Sequence, residues 1–274
     1  MDSKLLVKYA LAEDVGSGDV TSKATVPANL KVKAVIVARE EGRLAGISLA
    51  GEVFRQIDPS VKFKALKRDG SRIKDGTRLA EIHGHARAIL TGERTALNLI
   101  QRLSGIATLT GKFVSKVKGT GVKILDTRKT TPCLRAPEKY AVKMGGGTNH
   151  RFGLFDGVLI KDNHVHIAGG IKKAVKDVRK KYPRLKIEVE TQNLAEVSEA
   201  MGEDFDIIML DNMSIPDMKK AVKMIGGMYK IEISGGVNIK NIRKFAKIGA
   251  DYISIGALTH SAKSLNISMD IILK

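Results

Sequence analysis

Hydrophobic and polar residues alternate with a strand-like period up to about residue 90, and the rhythm then changes. Asp69-Gly70 and Asp75-Gly76 are typical of turns between short strands. Apolar residues at helical spacing follow over 93–103. The pattern predicts a small α+β region with a mostly antiparallel sheet, whose strands lie at 32–38, 61–66 and 79–82.

From about residue 120 a short apolar run, a polar tip and a helix follow one another repeatedly. The tips at 161, 190, 211, 234 and 256 are 21 to 29 residues apart, which is about the length of one parallel βαβ unit. The pattern therefore favours an incomplete parallel α/β barrel rather than a closed barrel of eight strands. Its predicted strands are 122–125, 158–160, 187–189, 207–210, 231–233 and 252–255, with 141–144 as a candidate for a short seventh.

Two of the intervening helices carry signals for their ends. Ser214 followed by Asp217 predicts a capped helix start, and Gly226 predicts the end of that helix. Asn238 is the predicted cap of a later helix that Gly249 would end.

Composition restricts the class of protein. The 274 residues are 43% hydrophobic, which is enough to build a core, and no apolar run reaches the ~18 residues of a membrane span. A single cysteine excludes an internal disulfide framework, and the first residues lack the apolar block of a signal peptide. We therefore expect a cytoplasmic protein that binds no membrane.

The net charge of +18 attracts polyanions, either nucleic acids or phosphorylated small molecules. Proteins that bind single strands need aromatic stacking platforms, and this chain is only 4% aromatic with no tryptophan. A solvated, lysine-rich surface is the simpler reading, so we expect no nucleic-acid partner.

Polar residues come directly after the predicted strands, at positions that share one rim in a parallel barrel. Singly, each could be a solvated loop residue, but their succession at six strand ends favours a common site. The residues expected to converge are Arg128, Lys129, Lys161, Glu190, Asp211 and Ser234.

Glycines at the last two tips indicate a phosphate site. Ser234, Gly235 and Gly236 precede the predicted helix start near Asn238, where backbone N–H groups would face an anion. Gly256 belongs to the neighbouring loop, and phosphate sites in such barrels commonly use these two loops. The alternative is a pair of plain tight turns.

Charged residues at the other tips suggest the rest of the ligand. Glu190 and Asp211 could hold Mg²⁺ together with substrate phosphates, or could balance lysines. The cations favour a polyanion that carries carboxylates, since arginine binds carboxylates bidentately. They are Arg128, Lys129, His150, Arg151 and Lys161.

Two His-x-His pairs, His83/His85 and His164/His166, would each share a strand face and could suggest a metal hydrolase. No HExxH motif accompanies them, so this interpretation is weak. Cys133 follows a proline in a loop without a base partner, which favours a bystander over a nucleophile.

At these same residues the chain resembles the quinolinate phosphoribosyltransferase family, in matching order from about residue 5 to 270. Cys133 departs from the family pattern, which usually has glycine there. The motifs are EDVGSGDVTS (13–22), GERTALNLIQRLSGIAT (92–108), DTRKTTP (126–132), LR (134–135), GGGTNHR (145–151), FDGVLIKDNH (155–164), IEVE (187–190), IIMLDN (207–212), IEISGG (231–236) and ISIGALTHS (253–261).

The resemblance implies an α/β fold, with an N-terminal α+β sandwich domain at 1–104 and an incomplete parallel α/β barrel of six or seven strands at 105–264. A tail at about 265–274 would pack on the first domain. It also implies homodimers with shared active sites, with a hexamer built as a trimer of dimers as a larger alternative.

The implied reaction joins quinolinate and phosphoribosyl pyrophosphate to give nicotinate mononucleotide, pyrophosphate and CO₂, with Mg²⁺. The resemblance gives each site residue a role. Arg94 (from the partner chain), Arg128, His150, Arg151 and Lys161 would bind the quinolinate carboxylates, with Thr127 in the substrate-binding set. Lys129 would assist at the pyrophosphate or carboxylate side, Glu190 and Asp211 would serve Mg²⁺ and the ribose, and Ser234, Gly235, Gly236 and Gly256 would cradle the 5′-phosphate.

Three alternatives remain open at this point. A nicotinate phosphoribosyltransferase would take a monocarboxylate and need fewer cations. A relative associated with molybdenum transport belongs to the same family. A basic nucleic-acid-binding protein would explain neither the acidic tips nor the glycine loops.

Overall fold

The computed structural model describes residues 2–272, and these form two compact units. The first contains residues 2–111, 130–146 and 261–272, and the second contains residues 112–129 and 147–260. The stretch 130–146 thus groups with the first unit, although the predicted barrel domain began at residue 105.

The first unit combines helices with two antiparallel sheets. One sheet has four strands in the order β12-β1-β5-β3, and the other pairs β2 with β4. Its strands are β1 (Lys31–Ala38), β2 (Gly42–Arg43), β3 (Lys62–Ala65), β4 (Arg72–Ile73), β5 (Arg78–His85) and β12 (Ile267–Ile272). Its helices are α1 (Ser3–Val15), α2 (Val20–Thr25), α3 (Ile47–Ile57) and α5 (Arg135–Met144), together with residues 86–111 of α4 (Ala86–Lys116).

Strand β1 occupies the middle of the larger sheet, and most of its residues are therefore buried. It pairs with β5 on one side and with β12 on the other, where Lys33 lies opposite Ile272 and Ala38 opposite Ile267. The predicted C-terminal tail includes β12, while residues 273 and 274 lie outside the described part of the chain. Sequence-distant segments thus build one sheet.

The second unit is a parallel sheet covered by helices. Its six strands follow the order β6-β11-β10-β9-β8-β7, so β6 and β7 pair with no further named strand among the described residues. This is the incomplete barrel that was predicted. The strands are β6 (Lys123–Leu125), β7 (Val158–Ile160), β8 (Ile187–Thr191), β9 (Ile207–Asp211), β10 (Lys230–Ser234) and β11 (Tyr252–Ser254). The helices are α6 (Asp162–Ala168), α7 (Ile171–Lys181), α8 (Leu194–Ala200), α9 (Ile215–Ile225), α10 (Ile242–Phe245) and α11 (Ala257–His260).

The predicted seventh strand at 141–144 is wrong, because these residues form the end of α5. Glu138, Ala141 and Val142 are buried, and their spacing of three and four residues is that of one helix face. The short apolar run therefore belongs to an amphipathic helix.

The predicted helix ends are partly confirmed. Ser214 accepts a hydrogen bond from the Asp217 backbone N–H, and Gly226 ends α9 in the left-handed conformation, as expected. The prediction for Asn238 is wrong, because α10 begins at Ile242 with Asn241 as its cap residue and is followed by Ala246 rather than by Gly249.

None of the helices in the described part of the chain combines the length and the apolar character needed to cross a bilayer.

Candidate active site

The strand ends of the second unit surround a cavity of about 720 Å³. Alternate residues of a strand share a face, and the cavity is accordingly lined by pairs spaced by two at the ends of β7, β9 and β10, namely Leu159 and Lys161, Met209 and Asp211, and Glu232 and Ser234. The loops after the strands complete its rim, as in other α/β barrels. The cavity is lined by the predicted site residues Thr127, Arg128, Lys129, His150, Arg151, Lys161, Glu190, Asp211, Ser234, Gly235, Gly236 and Gly256.

Arg94 is the predicted site residue that does not line this cavity. It lies on α4 in the first unit and is exposed. Its role stays a prediction that depends on a second copy of the chain.

The cationic residues are held close to one another by the protein. The Lys161 ammonium donates to Glu190 at 2.7 Å, with the lysine side chain 45% exposed and the carboxylate nearly buried. Burial, and then the positive charge of Arg128, lower the pKa of the Arg151 guanidinium. Two guanidinium groups in partial burial repel each other, so a bound anion would relieve that repulsion.

Lys129 is positioned by its neighbours on the last loop. Its backbone carbonyl accepts a hydrogen bond from the Thr259 hydroxyl at 2.7 Å. Its side chain passes over Gly256, where an added Cβ would lie 3.0 Å from the lysine Cδ. Glycine at 256 therefore leaves room for the stem of Lys129, which explains this glycine without any ligand.

The glycine tip after β10 is fitted against the tip after β9. A Cβ on Gly235 would lie 2.1 Å from the Asn212 side-chain oxygen, and the Asn212 backbone N–H donates to the Ser234 carbonyl at 3.0 Å. Gly235 and Gly236 both have positive φ, which favours glycine. Because α10 begins only at Ile242, any phosphate here would be bound by loop N–H groups and not by a helix N-terminus.

Two buried carboxyl groups that contact or adjoin the cavity residue His150 were not predicted. Glu188 accepts from or donates to His150 Nε2 at 2.8 Å, and Glu232 lies 3.8 Å from the same nitrogen. Burial raises the pKa of Glu188 to about 7 and that of Glu232 to about 8. One of the two carboxyl groups therefore holds a proton at neutral pH.

Asp126 was likewise missed, and it fixes the segment that carries His150. It is buried at the end of β6 and accepts hydrogen bonds from the His150 backbone N–H, at 2.9 Å, and from the Asn149 amide. For Glu188 and Glu232 the sequence did contain a usable signal. Each stands inside an apolar strand run, two positions before a predicted site residue, and residues two apart on a strand face the same side of the sheet.

The histidine pairs do not form metal sites. His164 and His166 lie on α6, where residues two apart do not share a face, so the predicted strand geometry is wrong there. His83 and His85 do lie on a strand, but His83 is exposed and His85 pairs with Asp58 at 2.8 Å. Cys133 is exposed in its loop.

The donor set at the rim suits Mg²⁺ that arrives with substrate phosphates. Mg²⁺ usually keeps several waters and uses one or two carboxylates beside phosphate oxygens. Asp211 lines the cavity and is oriented by the Asn212 amide at 2.7 Å. Glu190 instead pairs with Lys161, which is the charge-balancing role predicted as the alternative to Mg²⁺ binding.

Two family models cover almost the whole chain. Residues 19–104 match the model described as "Quinolinate phosphoribosyl transferase, N-terminal domain", and residues 106–270 match the model described as "Quinolinate phosphoribosyl transferase, C-terminal domain".

Curated relatives are similar over nearly all of this chain and most of their own lengths. The "Probable nicotinate-nucleotide pyrophosphorylase [carboxylating]" of Bacillus subtilis (strain 168) is 45% identical over 98% of this chain and 93% of its own. The chloroplastic nicotinate-nucleotide pyrophosphorylase [carboxylating] of Arabidopsis thaliana is 44% identical over 98% and 83%.

Solved structures share the fold. NadC from Streptococcus pyogenes has a TM-score of 0.94 at 43% identity, covering 98% of this chain and 96% of that one. The Ehrlichia chaffeensis nicotinate-nucleotide pyrophosphorylase has a TM-score of 0.95 at 42% identity and covers 99% of both chains. Human nicotinic acid phosphoribosyltransferase, at 12% identity and a TM-score of 0.67, shares the fold alone.

Proposed function

The chain belongs to the quinolinate phosphoribosyltransferase family, and on that premise we propose that it converts quinolinate and phosphoribosyl pyrophosphate into nicotinate mononucleotide, pyrophosphate and CO₂, a step of NAD biosynthesis. The observation that carries the proposal is the grouping of guanidinium, ammonium and carboxylate side chains with two glycine tips around one cavity.

The cationic wall suits the pyridine dicarboxylate. Arg128 and Arg151 offer forked donors that match carboxylates, and His150 lies beside them in the cavity lining. Quinolinate carries two negative charges, which offset the repulsion between the guanidinium groups. A monocarboxylate such as nicotinate would offset less of it, so we expect the dicarboxylate to be preferred.

The glycine tips in the cavity lining suit phosphoribosyl pyrophosphate. Ser234, Gly235 and Gly236 would receive the 5′-phosphate on loop N–H groups, with Gly256 in the adjacent loop. Lys129 would then assist at the leaving pyrophosphate, while Lys161 would join the arginines at the quinolinate carboxylates. These roles agree with the charge distribution around the cavity.

Asp211 and the phosphate oxygens of the substrate would hold Mg²⁺, which supplies positive charge to the leaving pyrophosphate when bound. Glu190, paired with Lys161, has a different task. Its fixed negative charge would stabilise the positive charge that develops on the ribose ring as the bond to pyrophosphate breaks.

Charge separation is the main difficulty of this transfer. The pyridine nitrogen attacks the anomeric carbon while pyrophosphate departs, so cationic character appears on the ribose and negative charge on the leaving group. Fixed carboxylates and ammonium groups stabilise both ends without reorganising during the reaction. Once alkylated, the ring nitrogen carries a positive charge that stabilises the electron pair left on the neighbouring carbon when CO₂ departs, and no separate decarboxylation cofactor is needed.

A labelling assay tests the proposal. The purified protein should release CO₂ from carboxyl-labelled quinolinate only when phosphoribosyl pyrophosphate and Mg²⁺ are both present. Nicotinate offered in place of quinolinate should give little pyrophosphate. Faster turnover of nicotinate would favour the monocarboxylate alternative, and no turnover of either compound would contradict a phosphoribosyltransferase.

The proposal also includes a homodimeric assembly and a cytoplasmic location. We infer a homodimer whose sites each receive Arg94 from the partner, because this arginine is exposed on α4 and carries no assigned task within its own unit. Leu154 and Phe155 are about three-quarters exposed, which is unusual for large apolar side chains and is consistent with a covered surface. We place the protein in the cytoplasm.

A further inference from the structure

Two buried carboxyl groups beside His150 have no task in the phosphoribosyl transfer described above. They belong to Glu232 and Glu188, whose polar atoms lie within 4.8 Å of each other and of a ring nitrogen of His150. The Glu232 side chain has no exposed surface, and its carboxyl group faces the side chains of Glu188, His150 and Ser254. A carboxyl group buried this completely beside a second carboxyl group is costly and calls for a functional explanation.

The surroundings of Glu232 favour its protonated form. Burial is the largest cause of its raised pKa, the negative charge of Glu188 on β8 is the second, and His150 acts in the opposite direction. On the neighbouring strands Glu232 lies opposite Met209 of β9 and Tyr252 of β11, and its carboxyl group faces the Ser254 side chain. With a pKa of about 8, Glu232 is mostly protonated at neutral pH.

The proposed reaction needs a proton after CO₂ has left. The bond between the ring carbon and its carboxylate breaks, and the electron pair stays on that carbon, next to the positively charged ring nitrogen. The carbon then uses this pair to bond a proton, which replaces the lost group. No oxidant or reductant takes part, so the only further reactant is the proton.

We propose that Glu232 is a positioning residue that stores this proton and passes it to the substrate carbon through His150. The inference rests on the proposed function. Because the Glu232 side chain has no exposed surface, its proton leaves through the side chains beside it. Glu188 lies next to Glu232 and 2.8 Å from His150 Nε2, and His150 lines the cavity, so the route runs from Glu232 through Glu188 to His150. Solvent protons would refill Glu232 by the same route.

The test separates the two chemical steps in a single turnover of the full-length enzyme with quinolinate and phosphoribosyl pyrophosphate. In Glu232→Gln the release of pyrophosphate should stay close to the unaltered rate. Release of CO₂ should fall by roughly 10²-fold, a typical loss for a missing acid, because a carbanion without a proton recaptures its CO₂. Glu232→Asp, which keeps a carboxyl group, should recover part of the loss.

The pH profile provides a readout that a structural role would not move. The stored proton is present below the pKa of Glu232 and lost above it, so CO₂ release in the unaltered enzyme should slow as the pH rises through about 8. This slowing should be absent in Glu232→Gln. Glu52→Gln, a buried carboxyl group on α3, serves as the control and should keep both rates and the profile.

Different results would overturn the role of Glu232 and the proposed phosphoribosyl transfer. Equal slowing of both steps in Glu232→Gln, or a raised KM for quinolinate with an unchanged profile, would reduce Glu232 to a structural role. If that variant fails to fold, the unaltered enzyme still tests the inference. A rate of CO₂ release that does not change between about pH 6 and pH 10 would overturn it. Absence of pyrophosphate release from the unaltered enzyme would contradict the proposed function instead.

Discussion

Lys161 shows how one side chain can be both held and available. Its ammonium is fixed by Glu190, yet nearly half of the side chain remains exposed at the cavity rim. A lysine arranged in this way is oriented before the ligand arrives, and the ligand does not have to order it. Arg128 shares the same wall.

We expect Lys161→Ala and Arg128→Ala each to lower kcat/KM strongly and to leave the fold intact. Removal of one charge that stabilises a transition state costs roughly 10²–10³ in rate. Steady-state kinetics and thermal melting of each variant provide the measurement. Lys176→Ala, an exposed lysine on α7, is the matched control and should change neither. Kinetics close to those of the unaltered enzyme in either cavity variant would contradict the assigned roles.

Cys133 occupies a position that suits glycine. Leu134 N–H donates to the Thr131 carbonyl, so residues 131–134 form a turn, with Pro132 second and Cys133 third at a φ of 65°. A proline followed by a residue of positive φ is the arrangement of a type II turn, in which glycine is favoured at the third position. This geometry accounts for the glycine of the family pattern, and nothing in the structure explains the cysteine that stands here instead.

Cys133→Gly should raise the free energy of unfolding by ~1 kcal/mol, because it removes the steric cost of positive φ and the exposed thiol packs against little. Chemical denaturation followed by circular dichroism measures the change. Cys133→Ala keeps a Cβ atom and should give no comparable gain. Equal stabilisation by both variants would mean that the thiol, and not the backbone, carries the cost.

At the scale of single residues, the sequence predicted the charged residues at the strand ends but not the buried carboxyl groups beside them. Charged residues directly after apolar runs, such as Lys161 and Asp211, were predicted because strand ends share a rim. Glu188 and Glu232 were missed because each stands inside an apolar run. Their partner His150 is distant in sequence, so no local pattern reveals that the three meet.

Among the elements, the tips of β9 and β10 behave as one unit. The Asn212 backbone N–H bonds to the Ser234 carbonyl, and the Asn212 side chain occupies the space that a side chain at Gly235 would need. Asn212 itself has a positive φ, which asparagine tolerates better than most residues. A change at one tip is therefore transmitted to Asp211 on the other.

Gly235→Ala and Gly236→Ala form a matched pair that tests this coupling. Both place a Cβ at positive φ, but the one at 235 meets Asn212, while the one at 236 has nothing within 4 Å. We expect Gly235→Ala to raise the KM for phosphoribosyl pyrophosphate by at least ~10-fold more than Gly236→Ala, since about 1.4 kcal/mol of lost contact is a tenfold effect. The KM for quinolinate should change less. Equal KM increases for both substrates would indicate general misfolding.

Strands were easier to predict from the sequence than helices. Each strand predicted for the barrel except 141–144 is observed within one or two residues, because a short apolar run between polar tips has few other solutions in a parallel sheet. The strand predicted at 141–144 was wrong because two buried apolar residues of α5 are adjacent in sequence and resemble a short strand. The cap predicted at Asn238 was wrong because its side chain accepts a hydrogen bond from the Lys240 backbone N–H in a turn that precedes α10.

For the molecule as a whole, the proposed shared site can be tested by mixing inactive variants. Arg94→Ala and Lys161→Ala would each be inactive, and a mixed dimer would hold one site with both defects and one with neither. Random exchange makes half of the dimers mixed, so about a quarter of all sites should regain activity. Activity after verified subunit exchange is the measurement.

A matched mixture provides the control for subunit exchange. Arg128 and Lys161 line the same cavity of one chain, so a mixture of Arg128→Ala and Lys161→Ala should leave a defect in every site and recover nothing. Absence of recovery in the first mixture would show that Arg94 acts within its own chain or not at all. The assignment of the cavity residues would be unaffected by that result.

The pairing of β12 with β1 also sets an order of events during synthesis. Arg39, just after β1, bonds to Ser268 in β12, 229 positions later. A ribosome therefore releases the whole parallel sheet before the strand that completes the first unit's larger sheet. Until residue 267 has emerged, β1 is an edge strand with unpaired backbone groups, and its exposed Lys31 and Lys33 are the kind of charges that discourage a wrong partner at such an edge.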